Sequence, residues 1–229
     1  VSNSESENMI IDIHSHQRDH AANIKKHFNI IIPQEETEDI ELDAATVYSA
    51  GIHPWYIAET GFKDQLGWLR QLAKDDRVRM IGECGIDKLK GPSLGIQEEV
   101  FIRQIRIAEE FRKPVIVHCV RAFNEMISIK KVVRPKVPVI IHGYQKKPEL
   151  GLQLIEKGFY LSLGADLLRD ESQAGQLLKQ MDLSKLFLET DDSEADIVSI
   201  YRKASEILAM PLHELEELIY ENYLGLYIE

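Results

Sequence analysis

Cysteine is scarce: Cys84 and Cys119 are the only two in 229 residues. A disulfide framework needs more of them, placed elsewhere, so a crosslinked secreted scaffold is excluded. Both thiols sit in apolar runs and read as reduced and buried. Long hydrophobic runs are missing too. None approaches the roughly 18 residues that cross a bilayer, so no membrane span is expected. Residues 1–8 are polar and acidic, without the basic start and apolar core of a signal peptide. They read as a tail, and the chain is expected to be cytoplasmic. Positive charge is in deficit: 27 Lys and Arg stand against 38 Asp and Glu, a net charge of -11. Broad binding along a nucleic-acid backbone needs basic surface, so that class is excluded. A small anion or a strand end at a metal centre stays compatible, because a bound cation inverts the local potential. Linkers and internal repeats are absent, and residues 9–229 read as one domain, expected to be a monomer.

What is present is a succession of short apolar runs, each ending in polar residues. Strands are expected at 9–14, at 28–32 and through "ATVYSAG", which runs into a Gly-His-Pro turn at 51–54. Phe62, Leu66 and Leu69 share one face of a helix over 62–74. A fourth strand ends on Glu83, and a long helix follows over 94–111. The runs "KPVIVHC", "VPVIIHG", "GFYLSLG" and "KLFLETD" supply four more strands, separated by helices near 121–131, 148–157 and 172–181. Pro148 suits the first position of its helix. Two helices, near 195–209 and 213–224, end the chain. Eight strands, the later ones alternating with helices and apolar on both faces, indicate an α/β TIM-like barrel. Its first third is expected to be irregular or shortened. Residues 17–27 offer at most a short helix, and an antiparallel pairing there stays open.

Five strands end in residues able to bind a metal: His14 and His16, Glu83, His118, His142 and Asp191. Strand C-termini ring one face of a barrel, so these six become neighbours. His14 and His16, two apart on a strand, point the same way. Asp12 shares that side and could orient a histidine or accept a backbone hydrogen bond. One catalytic ion takes about three protein ligands. Six suit two ions with one carboxylate bridging, a centre that hydrolyses phosphoesters or amides. The nitrogen and oxygen donors admit zinc, manganese, iron or magnesium.

The motifs "DIHSH" (12–16), "GIHPW" (51–55), "IGECGID" (81–87), "KPVIVHC" (113–119), "IIHGY" (140–144) and "LETD" (188–191) resemble, in order, those of the TatD family of metal-dependent hydrolases. The resemblance covers residues 9–229. It implies a TIM-like barrel, two divalent ions (Zn, Mg or Mn) and, for many members, exonuclease action on DNA ends. It places His14, His16 and Asp191 on one ion, His118 and His142 on the other and Glu83 between. It makes Asp191 the general base, with Glu83 as its catalytic partner. His53 would sit by the substrate phosphate, and Arg121 and Tyr144 are further candidate substrate contacts. Lys146 and Lys147 follow Tyr144, and Trp55 and Tyr56 offer an aromatic wall. Two departures stand out. The region after the first motif is short, and "ETDDSEAD" runs into a helix without the family's usual proline-containing loop. Two alternatives to DNA hydrolysis follow: turnover of a small phosphoester or amide at the same centre, or a barrel that binds metal without turnover.

Overall fold

The computed structural model describes residues 9–18, 23–33 and 42–227; the polar tail at 1–8 lies outside them. Eight strands form one sheet in sequential order. They are β1 (Ile10–Ser15), β2 (Ile24–Ile31), β3 (Val47–Gly51), β4 (Val78–Asp87), β5 (Val115–Val120), β6 (Val139–Ile141), β7 (Tyr160–Leu163) and β8 (Leu186–Leu188). Every neighbouring pair is parallel, the first two included. The antiparallel option for the first third is therefore overturned. A parallel bridge from Ser15 to Asp191 brings the last strand back to the first. The result is a nearly closed barrel, as the count of apolar runs implied.

The helices are α1 (Phe62–Leu72), α2 (Leu94–Phe111), α3 (Phe123–Val133), α4 (Pro148–Glu156), α5 (Gln173–Leu178), α6 (Ile197–Leu208) and α7 (Leu212–Gly225). α2 stops where Arg112 turns left-handed, and α4 starts on Pro148, which needs no amide partner there. α3 begins two residues later than expected, because Arg121 has a φ of 55°. Among the described residues, no helix separates β1 from β2 or β2 from β3. Part of the expected short helix, 19–22, and most of the acidic stretch, 34–41, lie outside the described residues. β2 starts at Ile24, four residues before the expected strand. Lys25, Lys26 and His27 belong to it, and their polarity hid it from a search for apolar runs.

Both faces of the strands are buried. In β1, Ile11, Asp12, Ile13 and His14 all have no exposed surface. Alternation sends the isoleucines to the helical layer and leaves Asp12 and His14 to the interior of the barrel. Among the described residues no helix is long and apolar enough to cross a membrane.

Three buried glutamines clamp loops to this frame. Gln104 accepts from Ile52 N (2.7 Å) and donates to Ile52 O (3.1 Å), fixing the exit of β3. Gln65 accepts from Ala58 N and donates to Tyr56 O, both at 2.8 Å. Gln97 accepts from Asp87 N (2.8 Å) and donates to the carbonyls of Asp87, Lys90 and Pro92. Each side-chain amide replaces water for a buried turn that would otherwise leave polar groups unpaired.

His27 gives the fold a pH dependence. It is fully buried, with Nε2 3.2 Å from the Tyr223 hydroxyl and Nδ1 without a partner. Burial, aided by the charges of Lys25 and Arg79, pulls its pKa to about 3. Below pH 6.5 the unfolded chain takes up a proton that the folded chain refuses, so stability falls as pH drops from 6.5 toward 3. The loss from this residue should reach on the order of a few kcal/mol by pH 4. Urea unfolding at pH 7, 5.5 and 4 should show His27→Gln flattening the slope of stability against pH, whatever it does to stability at pH 7. An unchanged slope would refute the assignment.

Candidate metal centre

The ends of β1 and β8 are stitched together by backbone. Asp191 N donates to His14 O and His16 N donates to Asp191 O, both at 3.0 Å. Asp12 reinforces the seam: it accepts from Thr190 N (2.9 Å) and from the Thr190 hydroxyl (2.7 Å). Its carboxylate is therefore a backbone and hydroxyl acceptor, the second of the two roles open to it, and does not orient His14. Asp191 adopts a φ of 54°, a left-handed conformation that aspartate tolerates better than most residues.

These constraints bring four donor atoms together. His14 Nε2 lies 3.5 Å from Glu83 Oε2 and 3.6 Å from Asp191 Oδ1. His16 Nε2 lies 3.5 Å from each of the same two oxygens. Glu83 arrives from β4, between two glycines with φ of 141°. A Cβ at Gly82 would collide with the Ile116 carbonyl and one at Gly85 with that of His118, so only glycine lets β4 lie this close to β5. The Glu83 amide is held by Asn29 Oδ1 at 2.8 Å.

The other Glu83 oxygen, Oε1, faces three more imidazoles. His118 Nδ1 is 2.7 Å away, His142 Nε2 2.8 Å and His53 Nε2 3.3 Å. His118 is fixed from its far side by Asp87 Oδ2, 3.3 Å from Nε2. Asp87 in turn accepts from Trp55 Nε1 at 2.6 Å. His53 thus lies against the central carboxylate, and its Nδ1 accepts from Trp55 N.

Sequence reasoning missed Glu189. It is fully buried, accepts from Gly143 N at 2.5 Å and lies 3.7 Å from His142 Nδ1. Its signal was its spacing, two residues before Asp191. Asn29 and the three glutamines were likewise not assigned these holding roles, whereas Asp87, expected to order the loop after Glu83, does accept from Leu89 N at 2.7 Å.

Burial should raise the Glu83 pKa, but the charge of His142 and the hydrogen bond from His118 hold it well below the carboxylate range. Burial likewise opposes charge on His142, and Glu83 and Glu189 outweigh it, holding His142 well above the usual imidazole value. Burial lowers His53, and a hydrogen bond to Glu83 raises His16. Asp191 is raised by burial.

The donor set fits divalent metal. His14 is wholly buried, yet neither ring nitrogen has a hydrogen-bond partner. Each such group costs about 1–3 kcal/mol unless something else satisfies it. His14 Nε2 and His16 Nε2 each lie 3.5–3.6 Å from Glu83 Oε2 and from Asp191 Oδ1, close to the roughly 3.4 Å that separates two donors sharing a tetrahedral cation with bonds of about 2.1 Å. His14, Glu83 and His142 form one compact group, His14, His16 and Asp191 another, and His53, Glu83 and His118 a third. All six residues expected from the sequence are therefore brought together, and His53 and Glu189 join them.

The remaining substrate candidates are placed differently. Arg121 is exposed at the end of β5. Tyr144 is buried, its ring near Phe123 and its hydroxyl already donating to Lys147 O at 2.7 Å. A cleft of about 170 Å³ opens between Gly143, Gly164 and Asp191. Asp166 and Asp192 also line it, so that wall is acidic.

Comparison with known proteins agrees with this geometry. A metal-dependent hydrolase of Bacillus subtilis, YabD, whose function is uncharacterized, is 31% identical over 150 residues, covering 63% of this chain and 58% of its own. The 3'-5' ssDNA/RNA exonuclease TatD of Pantoea ananatis is 32% identical over 149 residues, covering 62% and 56%. The chain therefore spans somewhat over half the length of these relatives. A TatD-family hydrolase structure from Entamoeba histolytica superposes with a TM-score of 0.73 at 17% identity, covering 96% of this chain and 98% of that one. The TatD homologue YjjV of Escherichia coli gives 0.68 at 18% identity, covering 80% and 77%. The family described as TatD related DNase matches residues 12–228, which takes in every residue of the centre, and the chain belongs to that family.

Proposed function

We propose that this chain is a divalent-metal-dependent hydrolase of phosphodiesters that acts on the ends of DNA strands. The observation that carries the reading is Glu83, with one oxygen facing His14 and His16 and the other facing His118 and His142. A carboxylate that divides its oxygens between two imidazole pairs is the natural bridge between two cations. His14, His16 and Asp191 would hold one ion, and His118 and His142 the other, with zinc, magnesium or manganese all suited. Such ions would supply Lewis acidity and lower the pKa of water.

Asp191 is the general base in this reading. Its side chain is 32% exposed, against 5% for Glu83 and 0% for Glu189. Both Asp191 and Glu189 line the cleft, but of the three carboxylates Asp191 is the one open to solvent there, where it can take a proton from an attacking water. Glu189 holds His142 and the Gly143 amide in place. His53 is positioned to donate to a substrate oxygen beside Glu83. The strand-end substrate is supported by the exonuclease relative in Pantoea ananatis. The acidic wall at Asp166 and Asp192 favours the second reading, a small phosphoester or amide, because it repels a long polyanion.

Metal-loaded protein, desalted and measured by plasma mass spectrometry, should carry two equivalents of divalent ion. His118→Ala combined with His142→Ala should retain about one. Wild type retaining one or fewer would reject the two-ion reading.

Asp191→Asn should cut kcat by about 10²–10⁴-fold while the barrel stays folded. Retained turnover would remove Asp191 as base. Assays on 3'- and 5'-labelled single and double strands, beside a small phosphodiester, separate the two substrate readings. Chelation should abolish either activity.

A further inference from the structure

The turn after β3 and the loop after β4 meet at the rim of the centre. Tyr56, in the turn Pro54–Tyr56, is 41% exposed in a chain that buries most of its large apolar side chains. Its ring is 5.7 Å from that of His53, whose Nε2 is 3.3 Å from Glu83. A flat aromatic face therefore stands about one sugar away from the central carboxylate. Gln65 holds Tyr56 by its carbonyl, so the face is presented by an anchored backbone.

Beside it, Lys90 Nζ lies 3.7 Å from the centre of the Trp55 ring. Lys88 is committed to Glu125 at 2.5 Å, whereas Lys90 makes no ion pair among the described residues. Its backbone is fixed by Gln97, and Gly91 packs so closely on the Pro54 carbonyl that a Cβ would collide with it. An exposed aromatic next to a held ammonium is how single-stranded nucleic acid is bound without reading its sequence.

We infer that Tyr56 and Lys90 form a nucleotide subsite at the rim, where Tyr56 stacks the base beside the scissile phosphate and Lys90 meets a neighbouring phosphate. The inference rests on the strand-end reading above and adds what selects the strand. Stacking needs an unpaired base, so single strands and frayed ends are preferred over blunt duplex, with little preference among bases.

The test uses the metal-loaded full chain on a labelled single strand, on the same strand with an abasic terminal residue, and on a small phosphodiester. Tyr56→Ala should raise KM on the base-bearing strand roughly tenfold with little change in kcat. It should have no effect on the abasic strand, and Tyr56→Phe should behave as wild type. Lys90→Ala should weaken strand binding and lower its salt dependence by about one counterion. Equal KM values for wild type and Tyr56→Ala on the base-bearing strand would overturn the subsite while leaving the hydrolase reading intact. Turnover of the small diester with no binding of any strand would overturn the subsite and the DNA reading together. Strand binding that depends on Tyr56, with no hydrolysis of any substrate, would support the subsite and reject the hydrolase.

Discussion

Two backbone hydrogen bonds, Asp191 N to His14 O and His16 N to Asp191 O, join the last strand to the first. They also set the distance between three of the candidate ligands. Closing the barrel and assembling the centre are therefore one event. In a strand the side-chain period is two, so a slip of one residue at this seam would exchange the faces of Glu189, Thr190 and Asp191. Asp12 resists such a slip, because its carboxylate binds both the amide and the hydroxyl of Thr190, and no other residue from Leu186 to Asp191 carries a side-chain hydroxyl.

A centre closed this way carries a large electrostatic burden. Five imidazoles and four carboxylates, Glu83, Asp87, Glu189 and Asp191, face one another at the mouth of an apolar barrel, and few of them can reach water. The carboxylates compensate for one another's partners in sequence. Glu83 takes His118 and His142, Glu189 takes the other side of His142, and Asp87 takes the other side of His118. Among the described residues, His14 is the one buried histidine with no hydrogen bond on either nitrogen. It is the most enclosed histidine of the centre, and it and His142 each belong to two of the four donor groups, the fourth being His142, Glu189 and Asp191. The group hardest to satisfy with protein alone stands where a cation would serve best.

The six ligand candidates were legible because each is polar at the end of an apolar run, and strand ends in a barrel share one face. Such contrast is strong even without a partner sequence. It fails where polarity is continuous: Lys25, Lys26 and His27 made the start of β2 look like loop. It also fails where a second polar residue sits beside a stronger signal, as Glu189 does beside Asp191. Asn29 and the clamping glutamines act through hydrogen bonds to residues 5 to 54 positions away, and no repeating local pattern carries that information. Tyr144 was read by its nearness in sequence to His142. It lines the cleft beside Asp191, with its hydroxyl turned to Lys147 O, because a buried phenol must find an acceptor.

How a chain of net charge -11 could receive a polyanion is a matter of where its charge lies. Screening at physiological salt limits the reach of surface charge to roughly 8 Å, so distant acids on the helices count for little at the mouth. What counts is the rim itself, and it is divided. Toward β7 and β8 the cleft is walled by Asp166 and Asp192. Toward β3 and β4 it presents Tyr56, His53 and the held ammonium of Lys90. On the proposed strand-end reading, a phosphodiester approaching the centre would be repelled from the first side and accepted on the second. A strand end can satisfy that asymmetry with its chain leaving over Tyr56, whereas a continuous duplex spanning the mouth would have to lie against the acidic wall as well.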